Sequence, residues 1–235
     1  GIVRLVGSEM CIRDSDRAIY SVLFPEKTKL QAGKDMLENP EVSAERIEKA
    51  IDFLLENKIA LDPTLNLRVI LNTIEGTTLE TVEPDAGRIA YELWEGKRFR
   101  KGNRPEVVKK EEAKYTKGAE IVKDFFRAGV PIVAGTDNFV PVFSLYQELE
   151  IYQKLGGLTP FEALQTATII PARVMGMDSE TGTLEINKQA DIAILDKNPL
   201  VDISNIRTVS AVLTNGNYYL SNPLWQAADF KPRQN

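Results

Sequence analysis

A short apolar segment at residues 130–133 constrains the fold of this chain more than any other part of its sequence. Every residue in it except Pro131 is β-branched, and glycine bounds it closely on both sides, at Gly129 and Gly135. Such a run between turn residues is typical of a strand buried on both faces of a parallel sheet. Amphipathic segments precede and follow it, so the local order is helix, strand, helix, and the sequence predicts an α/β fold.

The predicted strand leads into Gly135-Thr136-Asp137. In folds that alternate strands and helices, the carboxyl ends of the parallel strands carry the functional groups. Asp137 is therefore a candidate metal ligand or base. The alternative is that Asp137 only forms the turn after the strand, since aspartate is common at such positions.

Three segments before this strand carry helix or strand signals. Ser43 is a favourable N-cap for an amphipathic helix, and residues 59–65 follow that helix as a short strand. Pro105 is suited to the first turn of a second helix over residues 106–127, which Gly129 closes as a left-handed C-cap.

The segments after the predicted strand indicate two more helices. Residues 143–155 form the first, with Glu148 and Glu150 interpreted as solvated charges. A capping box at residues 159–162 begins the second, which Pro171 should kink or end.

The pattern changes to short strands from Gly182 onward. The predicted strands are residues 182–186, 190–196, 208–213 and 218–220. Asn215-Gly216, between the last two, is a strong hairpin signal. Residues 221–235 are polar and are interpreted as a surface tail.

Composition limits the classes of function. The chain has 235 residues and a formal net charge of −5 without a basic block, which argues against a nucleic-acid partner. No apolar run is long enough to cross a membrane, so no membrane partner is expected. The single cysteine, Cys11, cannot form a disulfide within the chain. There is no histidine, so this sequence supplies no imidazole ligand or base.

Residues 1–15 do not resemble the sequence that follows them. The stretch Leu5-Val6-Gly7-Ser8-Glu9-Met10-Cys11-Ile12-Arg13-Asp14 resembles translated sequencing-adapter read-through. We therefore interpret residues 1–15 as a non-native sequence scar and exclude them from the predicted fold. The alternative is an ordinary N-terminal strand over residues 2–6, followed by a turn.

Several motifs occur in the order and spacing of one enzyme family. In chain order they are Asp62-Pro63-Thr64-Leu65, Gly135-Thr136-Asp137, Leu158-Thr159-Pro160-Phe161-Glu162-Ala163-Leu164, Pro171-Ala172-Arg173, Gly182-Thr183-Leu184-Glu185, Lys188-Gln189-Ala190-Asp191 and Asn198-Pro199-Leu200. Through them the chain resembles the amidohydrolase superfamily, and more closely its imidazolonepropionase-like and prolidase-like branch, over residues 16–220.

The resemblance implies a metal-dependent (β/α)8 barrel, or TIM barrel, with a small β-domain. It also implies a hydrolase that acts on C–N bonds other than ordinary peptide bonds, in small-molecule substrates such as cyclic amides or dipeptides. By the resemblance, Asp137 ends the eighth barrel strand, binds a divalent metal, expected to be zinc, and takes a proton from metal-bound water. Such an ion lowers the pKa of its water to about 7, and a neighbouring carboxylate can pass the proton to the leaving nitrogen.

The chain departs from the family because the histidines of strands one, five and six and the bridging residue of strand four are absent. We therefore expect a C-terminal fragment of a longer enzyme. Residues 16–178 would supply the last two to three barrel strands with their helices, and residues 179–220 part of the small β-domain. Alone, the fragment is expected to hold no metal and to be inactive. The alternative, from another functional class, is a non-catalytic scaffold or binding domain derived from an amidohydrolase.

Overall fold

The computed structural model describes residues 4–6, 17–90, 102–137, 140 and 142–233. In this part of the chain, helices surround a short parallel sheet, and a three-stranded antiparallel sheet lies near the C-terminus. The α/β class predicted from the sequence is confirmed.

The described elements are numbered here in chain order. The helices are α1 (Arg17–Leu23), α2 (Lys29–Glu38), α3 (Ala44–Glu56), α4 (Asn66–Leu71), α5 (Leu79–Val82), α6 (Pro105–Arg127), α7 (Phe143–Lys154), α8 (Pro160–Gln165), α9 (Ile169–Val174) and α10 (Ser221–Ala227). The strands are β1 (Arg4–Val6), β2 (Ile59–Leu61), β3 (Ile192–Leu195), β4 (Val209–Thr214) and β5 (Asn217–Leu220). Short 3-10 helices lie at Ala86–Arg88 and Ile203–Thr208.

The parallel sheet is built around β2. The backbone N–H of Leu61 donates to the carbonyl of Pro131, and that of Val133 donates to the carbonyl of Leu61, each at 2.9 Å. Val130 and Ile132 are buried, as predicted for this segment. Residues 130–133 therefore run parallel to β2 on one of its edges, and β1 pairs in parallel with the other.

The pairing of β1 corrects the exclusion of residues 1–15 from the fold. Arg4 lies opposite Ile59 and Val6 opposite Leu61, which agrees with the alternative of a strand over residues 2–6. The edge of a strand presents backbone N–H and C=O groups to any extended segment, so this contact does not depend on the side-chain pattern. The remainder of residues 1–15 lies outside the described residues.

Two predicted helices cover the parallel sheet. The Ser43 hydroxyl accepts a hydrogen bond from the backbone N–H of Arg46 and caps α3, and α6 begins at Pro105. Both helices bury an apolar face, so both predictions are confirmed. The resulting core includes Ala50, Leu54, Leu61, Ala119, Val122, Phe125, Ile132, Leu149 and Tyr152.

The single helix predicted from residue 159 onward is two helices. The capping box forms between Thr159 and Glu162 at the start of α8, as predicted. The chain then leaves helical geometry before Pro171, which lies in the first turn of α9. Proline is tolerated there because a first-turn N–H has no partner within the helix. The break therefore precedes Pro171.

The antiparallel sheet has the order β3–β4–β5. Asn215 and Gly216 both have positive φ, 49° and 74°, as a two-residue type I′ turn requires, so the predicted hairpin is confirmed. The strand predicted at residues 182–186 is wrong. Gly182 has a φ of 92°, and a Cβ there would lie 2.8 Å from the Cβ of Ala172. The chain bends sharply where it packs against α9, and this bend is incompatible with an extended strand.

Residues 221–235 are not a simple surface tail. They begin with α10, and Phe230, which follows it, is buried. The Trp225 ring stacks on Phe143 with ring centroids 5.5 Å apart. The aromatic side chains of Trp225 and Phe230 thus hold residues 221–235 against the rest of the chain, although the polar composition of this segment indicates exposure.

Within the described ranges, no helix has both the length and the hydropathy needed to span a membrane.

Candidate functional site

The carboxyl ends of β2 and of residues 130–133 meet at one edge of the parallel sheet. Because these segments are parallel and hydrogen-bonded, the residues that follow them emerge side by side. Asp62 follows β2 directly, and Gly135 and Asp137 follow the other segment. The structure therefore places two carboxylates at the edge where α/β folds carry their functional groups.

Asp62 packs directly on Gly135. A Cβ at position 135 would overlap both carboxylate oxygens of Asp62, so only glycine allows this approach. The Thr64 hydroxyl donates to Asp62 Oδ1 at 2.7 Å and so helps to orient the carboxylate. Gly135 therefore allows the end of β2 to pack closely against this turn, in addition to allowing the turn itself.

Asp137 is exposed and has a left-handed backbone, with a φ of 48°. Partial burial of its carboxyl raises its pKa. The pKa of Asp62 is also raised, first by burial and further by the charge of Asp137, while hydrogen bonds from Thr64 oppose this. The two carboxyls are thus electrostatically coupled, and both favour the protonated form more than a free aspartate does.

The sequence singled out Asp137 as a candidate and gave no reason to group Asp62 with it. The two residues are far apart in the chain, and the spacing between them has no ligand signature. The available signal was topological: each follows a predicted strand, and adjacent parallel strands bring such residues together.

Glu148 is buried inside the molecule, which corrects its interpretation as a solvated charge. Its Oε1 accepts the backbone N–H of Leu65 at 2.9 Å, and its Oε2 accepts the backbone N–H of Asn66 at 2.6 Å. Its side chain is fully excluded from solvent. Burial raises its pKa to about 7, while the hydrogen bonds from Leu65 and Asn66 act in the opposite direction.

The raised pKa of Glu148 predicts a pH-dependent stability. The folded chain holds this proton up to about pH 7, whereas an unfolded glutamate loses it near pH 4.5. The free energy of unfolding should therefore fall by about 3 kcal/mol as pH rises from 4.5 to 7 because of this group. Urea unfolding at a series of pH values, compared between the wild type and Glu148→Gln, isolates this contribution from those of other carboxyls. If the free energies of unfolding of the wild type and of Glu148→Gln changed with pH in the same way, this prediction would be contradicted.

Glu150 is also not a solvated charge, because it belongs to a second cluster that is largely buried. The Arg207 guanidinium donates to Glu150 Oε1 at 2.6 Å, to Glu83 Oε1 at 2.6 Å and to Asp85 Oδ2 at 2.9 Å. Burial raises the pKa of Glu83, and its ion pair with Arg207 opposes that shift. Arg207 contacts all three carboxylates, and Arg88 also pairs with Asp85 at 3.0 Å. This cluster therefore links α7 to the segments around residues 83–85 and 203–208.

The residues at the strand edge do not complete a catalytic zinc site. Such a site normally has three protein ligands and one open position. Among the described residues, no group of three or more His, Cys, Asp or Glu side chains could hold a metal ion. Asp62 and Asp137 offer oxygen ligands only, and Cys11 lies outside the described part of the chain. The donor set of this chain therefore does not fit catalytic zinc by itself.

Comparison with known sequences points to one family. The profile of the amidohydrolase family matches residues 76–218, more than half of the chain. The ochratoxinase of Aspergillus niger is 38% identical over 87 residues, which are 37% of this chain and 18% of that protein. The imidazolonepropionase of Sphingopyxis alaskensis is 40% identical over 73 residues, 30% of this chain and 18% of that protein. These matches thus span less than a fifth of each curated relative.

Two solved structures share the fold. The A. niger ochratoxinase structure superposes with a TM-score of 0.52 and 20% identity, covering 92% of this chain and 48% of that one. A Xaa-Pro dipeptidase with bound methionine superposes with a TM-score of 0.50 and 22% identity, covering 81% of this chain and 43% of that one. The chain therefore spans about half of these larger proteins.

Proposed function

The chain belongs to the amidohydrolase family, and on that premise we propose that its protein hydrolyses C–N bonds other than ordinary peptide bonds. The substrates would be small molecules such as cyclic amides or dipeptides. The observation that supports this most directly is the convergence of Asp62 and Asp137 at the carboxyl ends of two adjacent parallel segments. The curated relatives are named for small molecules, which also supports a small-molecule substrate.

Asp137 is the residue to which we assign proton transfer. It is exposed at the strand edge, so a substrate can reach it, and partial burial raises its pKa toward that of a useful base. As water attacks the carbonyl carbon, the Asp137 carboxylate would accept the proton that the water loses. It would return that proton to the nitrogen as the C–N bond breaks, so that no net charge accumulates.

Metal dependence is part of the proposal. A divalent metal, which we propose to be zinc, would lower the pKa of the attacking water. Asp137 would be this chain's ligand, and the other ligands would come from residues outside this sequence, because it contains no histidine. We likewise propose that the chain forms the last strands and helices of a (β/α)8 barrel together with part of a small β-domain.

The chain alone should be inactive. The purified 235-residue chain is expected to hold no stoichiometric zinc and to hydrolyse neither dipeptides nor cyclic amides above the buffer rate, because two carboxylates retain a divalent ion weakly. Metal analysis and an amine-release assay measure both quantities. About one tightly held zinc per chain, with hydrolysis lost on chelation, would contradict this expectation.

A longer reading frame provides the positive test. If the gene continues upstream, the added sequence should carry His-x-His and further histidines at strand ends, and the extended protein should bind metal and hydrolyse C–N bonds. An extended protein that holds metal but hydrolyses none of the substrates would contradict the proposed function. A natural start codon near residue 1 would instead support the alternative of a non-catalytic scaffold or binding domain.

A further inference from the structure

Glu148 holds one strand end through several donors at once. Besides the backbone N–H groups of Leu65 and Asn66, its Oε2 accepts the side-chain Nδ2 of Asn66 at 3.0 Å. The glutamate comes from α7, while its partners lie more than eighty residues earlier, at the start of α4. A single carboxylate therefore binds the chain immediately after Asp62, Pro63 and Thr64.

Asn66 extends this connection to the second strand end. Its Nδ2 also donates to the carbonyl oxygen of Gly135 at 3.3 Å. Gly135 is the residue on which the Asp62 carboxylate packs. A continuous path of hydrogen bonds thus runs from Glu148 through Asn66 to the turn that carries Asp137.

The segment held by Glu148 is strained. Thr64 has a φ of 44°, in a left-handed region that β-branched residues rarely adopt. Such conformations persist only where the surrounding structure enforces them. The two backbone amides that follow Thr64 are the ones that Glu148 binds, so Glu148 is placed to enforce this conformation.

A carboxylate at this position needs a specific reason, because burying it is costly. An ionisable side chain that is fully excluded from solvent carries a large desolvation cost, which an apolar side chain would not have. The carboxylate offsets this cost by accepting hydrogen bonds from several N–H groups. Because hydrogen bonds are directional, they orient the loop that carries these groups.

We propose that Glu148 is a positioning residue that fixes the loop after β2 against the turn after residues 130–133, and so sets the position of Asp62 relative to the turn that carries Asp137. It touches neither carboxylate and acts through Thr64, Leu65 and Asn66. The expected effect of Glu148 on the rate of turnover rests on the proposed function, whereas its expected effect on the conformation of the loop does not.

Amide hydrogen exchange tests the loop directly. In Glu148→Ala, exchange at Leu65 and Asn66 should accelerate at least 10-fold more than exchange at the core amide of Val122 in α6, because their acceptor is removed. The matched control is Glu150→Gln, which changes a largely buried carboxylate on the same helix; this carboxylate binds Arg207 and not the loop. In the control, all three amides should change by one common factor. Equal acceleration of the three amides in Glu148→Ala would overturn the proposal.

Kinetics of the active, full-length protein test the positioning role. Glu148→Gln should lower kcat about 10-fold or more with KM within about 3-fold, since small misplacements of catalytic groups act mainly on the chemical step. An unchanged kcat, with exchange at Leu65 and Asn66 accelerated, would overturn the positioning role. If the wild type hydrolyses no C–N bond, the proposed function fails, and the exchange measurement still decides whether Glu148 holds the loop.

Discussion

Asp137→Asn should lower kcat of the active protein by about 10²–10⁴-fold, the range typical for loss of a positioned general base. The amide cannot accept the proton that the attacking water loses. Asparagine tolerates the left-handed backbone at this position, where φ is 48°, at least as well as aspartate. The fold should therefore be kept, and the free energy of unfolding should change by no more than about 0.5 kcal/mol. Steady-state kinetics and urea unfolding measure the two effects.

Asp229→Asn is the matched control for this substitution. Asp229 is also exposed and also has a left-handed backbone, with a φ of 59°, but it follows α10 and not a strand of the parallel sheet. Its replacement should leave kcat within about 2-fold, as expected for a surface position without a role in the reaction. If kcat of Asp137→Asn equalled that of the wild type, the role assigned to Asp137 in proton transfer would be contradicted.

Arg207→Met should destabilise the chain by about 3–5 kcal/mol, the usual cost of breaking a buried ion pair by removing one partner. The methionine fills much of the same volume but removes the cation that Glu83, Asp85 and Glu150 share. Asp85 keeps its ion pair with Arg88, whereas Glu83 loses the guanidinium that it binds through both oxygens. Glu83 is fully buried, so water cannot compensate for the loss. Urea unfolding at neutral pH measures the effect.

Two comparisons separate the charge of Arg207 from its packing. The decrease in the free energy of unfolding caused by Arg207→Met should be smaller at low pH, because protonated carboxyls no longer repel one another. Arg173→Met, at an exposed position on α9, should change the free energy of unfolding by no more than about 0.5 kcal/mol. If Arg207→Met lowered the free energy of unfolding by less than about 1 kcal/mol, the cluster would contribute no more to stability than a surface ion pair does.

The sequence predicted best those elements whose causes are local. The cap at Ser43, the proline at the start of α6 and the Asn215-Gly216 turn each depend on a few neighbouring residues, and each is present in the structure. Residues 130–133 belong to the same group, because an apolar run bounded by glycines favours a buried extended segment. In the structure this segment lies along β2 through an isolated bridge and two hydrogen bonds, without forming a full strand.

The predictions that failed depend on contacts between distant segments. Gly182 bends the chain because it meets α9, and residues 221–235 are held by the packing of Trp225 and Phe230 near Phe143. Hydrophobic periodicity reports which face of an element is apolar, but it does not report what that face meets.

The sequence by itself determined the α/β class, the family and the position of Asp137 after a buried strand, since all three follow from local patterns and motif order. Only the tertiary structure decided that Asp62 and Asp137 follow adjacent strand ends, that Glu148 is buried and that Glu150 lies in a largely buried ion-pair cluster. On a helix surface, a solvated glutamate and a glutamate that binds a distant loop have the same local pattern. They differ only in the donors that the fold brings to them: the amides of Leu65 and Asn66 in one case, and the guanidinium of Arg207 in the other.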